Sequence, residues 1–402
     1  MIGKPAILGG LPAFCEQVPI ARPLLSKYST ADVMAQFIDI LDSGQVTNGR
    51  CVRELEQSVV SYLQVNSAVG MASCTSGLIL TMQLLGLSGK EVLMPTFTFA
   101  ATAHAAYWNR SKIVFVDSDP ETFDISLDDL ERKITTNTAG IIAVHVFGNP
   151  CEADALEEIA RDRGLKLLFD AAHGLGTSLK ERKTGTFGDA EVFSCSPTKI
   201  LTALEGGIVS TANPELANDL RVARNYGANP DYTCDLPGLS ARMTEIGAVL
   251  AQRMLGDIER MVENRNRYAR LYQSHLGQVP GIGFQKVTPG AIHGYKDFAI
   301  VIDPAKFGID RDLLCTALEK EGIATKKYFS PLAHELKPYR DDCQGGLPNA
   351  RLLSANILCL PMYSRMDEDL IETICVAINR VHEYAGEIRA MSSGDLVSVA
   401  HH

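Results

Sequence analysis

Seven short apolar runs, separated by amphipathic stretches, occupy the chain between about residues 65 and 212. Most of these runs are continuously apolar rather than alternating, which is typical of strands covered on both faces. Strands that alternate with helices predict a largely parallel α/β sheet with crossover helices. The predicted strands are 67–72, 91–95, 112–117, 140–147, 165–170, 190–194 and 206–210, and the predicted helices between them include 76–87, 99–109, 153–163 and 214–225.

The pattern changes after this region. Apolar residues recur every three or four positions from Met243 to His275, which predicts a long amphipathic helix in which Gly256 is a candidate break. The elements predicted beyond it are strands at 298–303, 323–329 and 355–361 and helices near 310–321 and 367–386. We therefore predict three parts: a large domain with an N-terminal arm over 1–255, a small α+β domain over 256–390, and a flexible tail over 391–402.

The charge balance limits the classes of partner. The 402 residues include 38 Lys and Arg against 48 Asp and Glu, which gives a net charge of −10. Such a chain is a poor general binder of nucleic acid or of an anionic membrane, although it can hold a local basic pocket for phosphate. No run approaches the roughly 18 to 20 apolar residues of a membrane-spanning helix, and no secretory signal is recognisable. We expect neither a nucleic-acid partner nor a membrane partner.

The ten cysteines are scattered along the chain and form no CxxC pair. Several lie inside apolar runs, as Cys359 and Cys375 do, where cysteine behaves as a small core residue. This usage favours the reducing cytoplasm over a disulfide framework, and it leaves no zinc-site signature. The expectation is a cytoplasmic protein without a metal site.

Two polar residues follow predicted strands of the sheet. Asp170 ends the strand 165–170, and Lys199 stands in a loop after the strand 190–194. Ligands of open α/β sheets usually bind at this edge. Taken singly, the aspartate is explained as a helix N-cap and the lysine as a solvated loop residue. Together they suit pyridoxal 5′-phosphate (PLP), which needs a carboxylate to keep its ring nitrogen protonated and a lysine to hold its aldehyde.

Two further segments add to this pattern. The stretch SCTSGLIL places Thr75, Ser76 and free backbone N–H groups at a predicted helix start, which favours an anion, although an ordinary cap has the same residues. Phe99 opens the next predicted helix and could stack on a planar ring, but a core aromatic is the simpler explanation. His173 follows Asp170 by three residues.

In this order, the motifs closely resemble those of the DegT/StrS-like sugar aminotransferases, which are PLP enzymes of fold type I. The resemblance extends from about Ile7 to Asn379 and includes PTFTFAAT, FDAAHG, TKILTALEGG, RMTE and KYFSPLAHELKPYR. It implies a large domain with a mostly parallel seven-stranded sheet, a smaller α+β C-terminal domain, and a homodimer that shares its active sites.

The resemblance also implies a role for each matching residue. The catalytic pair would be Lys199, as the lysine that binds PLP covalently, and Asp170, as the partner of the ring nitrogen. The other cofactor-binding positions would be Thr75, Ser76, Phe99, His173, Ser194 and, from the partner subunit, Ser240. The positions in the loop that usually lines the sugar site are Tyr328, Phe329 and His334.

FDAAHG and KYFSPLAHELKPYR look like the subgroup that aminates nucleotide-linked 4-keto-6-deoxyhexoses, with L-glutamate as the implied donor. The residues suggested for the sugar diphosphate are Lys326, Lys327 and Arg340. Three positions depart from the family: Cys195 and Ser196 replace Phe-His, and Ser240 replaces an Asn with a longer reach. A 3-keto sugar nucleotide is therefore an alternative acceptor, and a regulatory protein that binds PLP without turnover is a second alternative.

Other enzyme classes lack their signatures in this sequence. A nicotinamide dehydrogenase needs GxGxxG after its first strand, but the nearest match, GLGTSL, has Leu179 at the third glycine and comes too late. The GxSxG turn of α/β-hydrolases is absent. Lys199 also argues against the related PLP dehydratases, in which histidine replaces the lysine.

Overall fold

The structure, a computed structural model, describes residues 3–23, 25–229, 231, 233–340 and 346–399. The strands are β1 Ser67–Met71, β2 Glu91–Pro95, β3 Lys112–Val116, β4 Thr138–Val144, β5 Lys166–Asp170, β6 Ser178–Leu179, β7 Arg182–Lys183, β8 Ala190–Ser194, β9 Gly207–Thr211, β10 Ile282–Phe284, β11 Ala291–Ile292, β12 Phe298–Ile302 and β13 Ile357–Leu360. The helices are α1 Leu25–Tyr28, α2 Ala31–Ser43, α3 Arg50–Leu63, α4 Cys74–Leu84, α5 Ala100–Trp108, α6 Leu127–Lys133, α7 Ala153–Arg163, α8 Pro214–Ala223, α9 Glu245–Leu255, α10 Ile258–Leu276, α11 Pro304–Phe307, α12 Arg311–Lys320, α13 Pro348–Asn356, α14 Glu368–Glu383 and α15 Ala385–Val399.

The seven predicted strands form one sheet in the order β1-β9-β8-β5-β4-β2-β3. Only β9 runs antiparallel to its neighbours, β1 and β8, and the other adjacent pairs are parallel. Every residue of β1, β2, β8 and β9 is buried, since helices cover the sheet. The prediction of a mostly parallel α/β sheet is confirmed, and its physical basis is the continuous apolar character of these runs.

The long amphipathic segment predicted from Met243 to His275 is interrupted at Gly256, the predicted break. Helix α9 ends at Leu255, Gly256 follows as its C-cap, and α10 begins at Ile258. Asp257 occupies the junction, where its carboxylate accepts a hydrogen bond from the Tyr28 hydroxyl at 2.8 Å and pairs with Lys27. The predicted break is confirmed.

The C-terminal part contains a second sheet, antiparallel in the order β10-β12-β13, with α10, α12 and α14 packed around it. The strand predicted over 323–329 is wrong. That segment makes only single bridges, between Val18 and Ile323 and between Lys326 and Cys359. It then turns away because the Phe329 ring packs against aromatic rings of the large domain, with its centroid 5.4 Å from that of Phe97.

The N-terminal arm packs on the C-terminal part rather than on the large sheet. The Glu321 carboxylate, fully buried, accepts hydrogen bonds from the N–H groups of Ala6 and Ala13 at 2.8 and 2.9 Å. The N–H of Val18 donates to the carbonyl of Gly322 at 2.8 Å. We therefore propose to group the arm with the small domain, in place of the division at residues 1–255. The boundary at residue 256 stays a prediction.

Helix α15 covers much of the segment for which the sequence predicts a flexible tail, and residues 400–402 lie outside the described residues. The predicted mobility of this tail stays a prediction.

Within the described part of the chain, no helix is both long and apolar enough to cross a membrane. The nine cysteines among the described residues are free thiols. In those same residues no group of three or more His, Cys, Asp or Glu side chains is placed to hold a metal ion. The cytoplasmic location stays a prediction.

Candidate active site

A cavity of about 280 Å³ lies at the carboxyl edge of the large sheet. Val144, Asp170 and Ser194, the last residues of the adjacent strands β4, β5 and β8, all line it. Its volume is close to the lower end of the roughly 300–1,000 Å³ that is usual for small-molecule sites. The structure brings eight of the predicted site residues together here: Thr75, Phe99, Asp170, His173, Ser194, Lys199, Tyr328 and Phe329.

Asp170 ends β5 and is 4% exposed. Its Oδ2 accepts a hydrogen bond from the Thr102 hydroxyl at 2.7 Å, and its Oδ1 accepts one from the Ala172 N–H at 3.1 Å. Burial raises the pKa of the Asp170 carboxyl, against the opposing effects of these hydrogen bonds and of the Lys199 charge. The Cys74 thiol is a weaker third donor, 3.9 Å from Oδ1, and these donors together fix the orientation of the carboxylate. Sequence reasoning did not single out Thr102, which is buried in the first turn of α5.

Lys199 lies in the loop between β8 and β9. Burial, together with the nearby charge of Lys296, lowers the pKa of the Lys199 amine to about 8. Among the described residues, no side chain accepts a hydrogen bond from its Nζ. About a tenth of the amine is therefore neutral at pH 7, far more than for an ordinary lysine, and the neutral amine is the nucleophilic form.

Three charged residues that the sequence analysis did not single out also line the cavity: Glu205, which is exposed, and the buried pair Lys296 and Asp297. Lys296 and Asp297 are 5% and 4% exposed, and Nζ of the lysine lies 2.9 and 3.1 Å from the two carboxylate oxygens. The available signal was a pair of opposite charges in GYKDFAI, directly before an apolar strand. Because Lys296 has a counter-ion and Lys199 has none within the described part of the chain, Lys199 is the better nucleophile of the two lysines.

His173 lies in a stack of rings at one wall of the cavity. Its imidazole is nearly parallel to the ring of Phe147, at 6.4 Å between centroids, and Phe147 in turn stacks on Phe329 at 5.7 Å. Burial holds the pKa of His173 well below its usual range, and the charges of Lys199 and Lys296 act in the same direction. The imidazole is thus neutral at neutral pH and can both donate and accept a hydrogen bond.

The N-terminus of α4 faces the cavity through Ser73, Cys74 and Thr75. Free N–H groups and the helix dipole make such an end an anion site. A Cβ on Gly207 would lie 2.5 Å from the backbone of Ser73, so only glycine allows β9 to approach this helix end. The predicted ligand Ser76 does not line the cavity, because its hydroxyl donates to the Ser73 carbonyl at 2.9 Å within the capping box.

Only part of the loop that was predicted to line the sugar site reaches the cavity. Tyr328 and Phe329 line the cavity, whereas His334 does not. His334 is 3% exposed, with Nδ1 2.6 Å from the Thr96 hydroxyl and Nε2 accepting from the Arg351 guanidinium at 2.9 Å. This histidine is therefore a buried connection between the loop, β2 and α13, and we leave it out of the proposed substrate contacts.

The basic residues suggested for the sugar diphosphate also lie outside the cavity lining, which contains none of Lys326, Lys327 and Arg340. The Lys327 ammonium pairs with Asp312, and Arg340 Nε donates to the Glu335 carbonyl at 2.8 Å. Their predicted role has no support from the lining of this subunit's cavity.

Ser240 lies away from the cavity of its own subunit. Its hydroxyl accepts a hydrogen bond from Arg242 at 3.4 Å, and Arg242 also donates to Asn225 Oδ1 at 2.7 Å. The Arg242 guanidinium stacks over the Tyr226 ring at 5.2 Å, and this tyrosine is 52% exposed. The predicted contact of Ser240 with a partner subunit is untested by these contacts and stays a prediction.

The PLP-dependent aminotransferases of fold type I have the same kind of sheet. They also have a carboxylate at the end of one strand and a lysine in the loop after the neighbouring strand, as Asp170 and Lys199 are here. The model of the DegT/DnrJ/EryC1/StrS aminotransferase family matches residues 27–379. The chain belongs to this family, and the resemblance found in the sequence is confirmed.

Several relatives and solved structures are similar to this chain. The UDP-N-acetyl-3-dehydro-α-D-glucosamine 3-aminotransferase of Acidithiobacillus ferrooxidans is 34% identical over 85% of this chain and 91% of its own length. The dTDP-4-amino-4,6-dideoxy-D-glucose transaminase of Escherichia coli is 31% identical over 89% and 96%. The crystal structure of DesI with its TDP-sugar product superposes with a TM-score of 0.88, at 34% identity over 97% of this chain and 98% of that one. The prediction of an aminotransferase is confirmed by this membership.

Proposed function

We propose that this protein uses PLP to transfer the amino group of L-glutamate to a nucleotide-linked 4-keto-6-deoxyhexose, giving a 4-amino sugar nucleotide. The observation that carries the proposal is that Lys199, without a counter-ion, lies in one cavity with the buried carboxylate of Asp170. A neutral amine beside a fixed carboxylate is the pair of groups that PLP chemistry requires.

The residues of the cavity fit this cofactor. Lys199 would hold its aldehyde carbon, Asp170 its ring nitrogen and His173 its ring hydroxyl. Thr75, Ser194 and the N-terminus of α4 would hold its phosphate, and Phe99 would stack on the ring, in agreement with their places in the lining. The bound cofactor supplies an electron sink for the carbanion left when the donor loses its α-proton.

The chain's own residues would then perform the proton transfers. Lys199 would take the proton from the donor's α-carbon as a base and would later give it back as an acid. A general acid–base catalyst works best when its pKa lies near the operating pH, and the Lys199 pKa of about 8 meets this condition. Asp170, oriented by Thr102 and Ala172, would supply the negative charge that keeps the ring nitrogen protonated.

One similar protein supports a 4-keto acceptor, and a second supports a nucleotide-linked sugar. The E. coli relative is named as a transaminase of dTDP-4-amino-4,6-dideoxy-D-glucose, and DesI was crystallised with a TDP-sugar product. The A. ferrooxidans relative is named for a 3-aminotransferase reaction, which keeps a 3-keto sugar as the second candidate. Tyr328 and Phe329 line the same cavity, so the C-terminal part can contribute contacts to an acceptor.

We further propose that the working unit is a homodimer with shared active sites. Several large apolar side chains are exposed in one subunit, and Phe99, at the cavity, is 59% exposed. Such side chains are typical of a surface that a second subunit covers. Ser240 would then contact the cofactor phosphate of the partner's site.

The acceptor is tested by adding each keto sugar to the enzyme whose cofactor already carries the amino group. A nucleotide-linked 4-keto-6-deoxyhexose is expected to return the cofactor rapidly to its aldehyde form, with NMR locating the new amine at carbon 4. A response only to a 3-keto isomer would contradict the 4-keto assignment. A protein that binds PLP but aminates no sugar in steady state would be a regulatory protein instead.

Ser240→Asn is expected to leave PLP affinity unchanged or to raise it up to about tenfold, because the longer amide adds a donor to the partner's cofactor phosphate. The dissociation constant of PLP, measured by titrating the apoenzyme, reports the change. Ser196→Asn, in the cavity of the same subunit, is the matched control for a general effect of an added amide. A large loss of PLP affinity with the fold intact would contradict the predicted contact.

A further inference from the structure

The ion pair between Lys296 and Asp297 has no evident structural role. It joins consecutive residues, so it connects no distant parts of the chain. Removing two charges from water is costly, and a buried ion pair is for that reason weak evidence of stability. A buried pair that lines an active-site cavity is instead a candidate for a role in binding or catalysis.

The surrounding contacts hold Lys296 in place at this wall. Its backbone N–H donates to the Phe147 carbonyl at 2.8 Å, and its carbonyl accepts from the buried guanidinium of Arg265 at 3.2 Å. Its ammonium lies 5.5 Å from the centroid of the Tyr328 ring. The side chain is therefore presented to the cavity by contacts from both the large domain and α10.

The cavity must accept an amino acid, whose α-carboxylate is an anion. Among the described residues that line it, two carry cationic side chains, Lys199 and Lys296. Lys199 is engaged in the proton transfers proposed above. An ammonium has three N–H donors, and the two distances to Asp297 account for two of them, which leaves one for a ligand.

We propose that Lys296 binds the α-carboxylate of the amino donor and that Asp297 is its counter-ion between the two half-reactions. The inference rests on the proposed function, since it concerns the donor side of the same site. While the donor is bound, its carboxylate shares the ammonium with Asp297. When the oxo acid leaves and the uncharged sugar ring enters, Asp297 holds the ammonium alone, so that no unpaired charge stays buried.

The test combines two changes: a variant that lacks the positive charge of Lys296, and an amino donor that lacks the α-carboxylate. 4-Aminobutyrate is L-glutamate without its α-carboxylate. In the wild-type holoenzyme, L-glutamate is expected to convert the cofactor to its amino form at a concentration at least about tenfold below that needed for 4-aminobutyrate. In Lys296→Gln this preference is expected to fall close to one, because only L-glutamate loses a contact. The visible absorbance of the cofactor, followed without any sugar, reports the conversion.

Two companion variants protect the test against a folding defect. Lys296→Arg keeps the positive charge and is expected to retain the preference for L-glutamate. Asp297→Asn removes a negative charge next to the incoming carboxylate and is expected to lower the concentration of L-glutamate needed, a change of opposite sign. A variant that merely loosened the site would weaken both donors alike.

Equilibrium binding gives a readout that does not depend on turnover. 2-Methyl-L-glutamate has no α-hydrogen to lose, and we expect Lys296→Gln to bind it about tenfold or more weakly than the wild type in calorimetry. An undiminished preference for L-glutamate in Lys296→Gln, or unchanged binding of 2-methyl-L-glutamate, would overturn the assignment of Lys296. A wild-type enzyme that responds to no amino acid at all would instead overturn the proposed function.

Discussion

Lys199→Ala is expected to abolish multiple turnover and to remove the covalent link to PLP that borohydride makes permanent. No other amine in the described part of the cavity is free to replace it, because Lys296 is held by Asp297. Mass spectrometry of the reduced protein measures the link directly, and steady-state amination measures turnover.

The matched control is Lys296→Gln, which removes the other lysine of the cavity. This variant is expected to keep the reducible link, since its amine is not the one that reacts. A link that persisted in Lys199→Ala and disappeared in Lys296→Gln would show that the roles of the two lysines are exchanged. Thermal unfolding checks that both variants retain the wild-type fold.

Asp170→Asn is expected to slow the first half-reaction by on the order of 10²- to 10³-fold, the usual loss when one preorganised electrostatic partner is removed. The amide has nearly the same shape but no charge, so it cannot keep the ring nitrogen protonated. Single-turnover conversion of the cofactor by L-glutamate measures the rate, and its absorbance confirms that the variant is loaded.

Thr102→Val provides a graded comparison for this prediction. It deletes the hydroxyl that donates to Asp170 Oδ2 at 2.7 Å while keeping the shape of the side chain. We expect a loss of about tenfold, because the carboxylate remains but its shortest hydrogen bond is gone. Equal losses in Asp170→Asn and Thr102→Val would mean that the orientation of the carboxylate, and not its charge, carries the effect.

The elements that the sequence predicts well have a strong local signal. The seven strands of the large sheet consist mainly of apolar residues, and the interruption after Leu255 coincides with a glycine. The segment 323–329 has a similar β-branched and aromatic composition but is not a strand. Its conformation depends on the distant contact of Phe329 with Phe97, which no local pattern contains.

The residues of the site also differ in how well the local sequence predicts them. Lys199 and Asp170 are recognisable because their positions relative to strands and glycines follow a known order of motifs. Lys296 and Asp297 come 97 and 98 residues after Lys199 and belong to no motif that was recognised. His334, which lies in a recognised block, is turned instead toward Thr96 and Arg351.

The sequence alone therefore determined the class of fold and the family, and it predicted the two residues proposed for the centre of the chemistry, because each depends on patterns within short stretches of chain. Only the tertiary structure decided which loop residues reach the cavity and which are buried elsewhere. Within the described residues it also decided that Lys199 has no counter-ion while Lys296 has one, and this difference is the reason for proposing one lysine as the nucleophile and the other as a charged anchor. Such properties depend on burial and on neighbours far away in the sequence, and the order of residues does not express them.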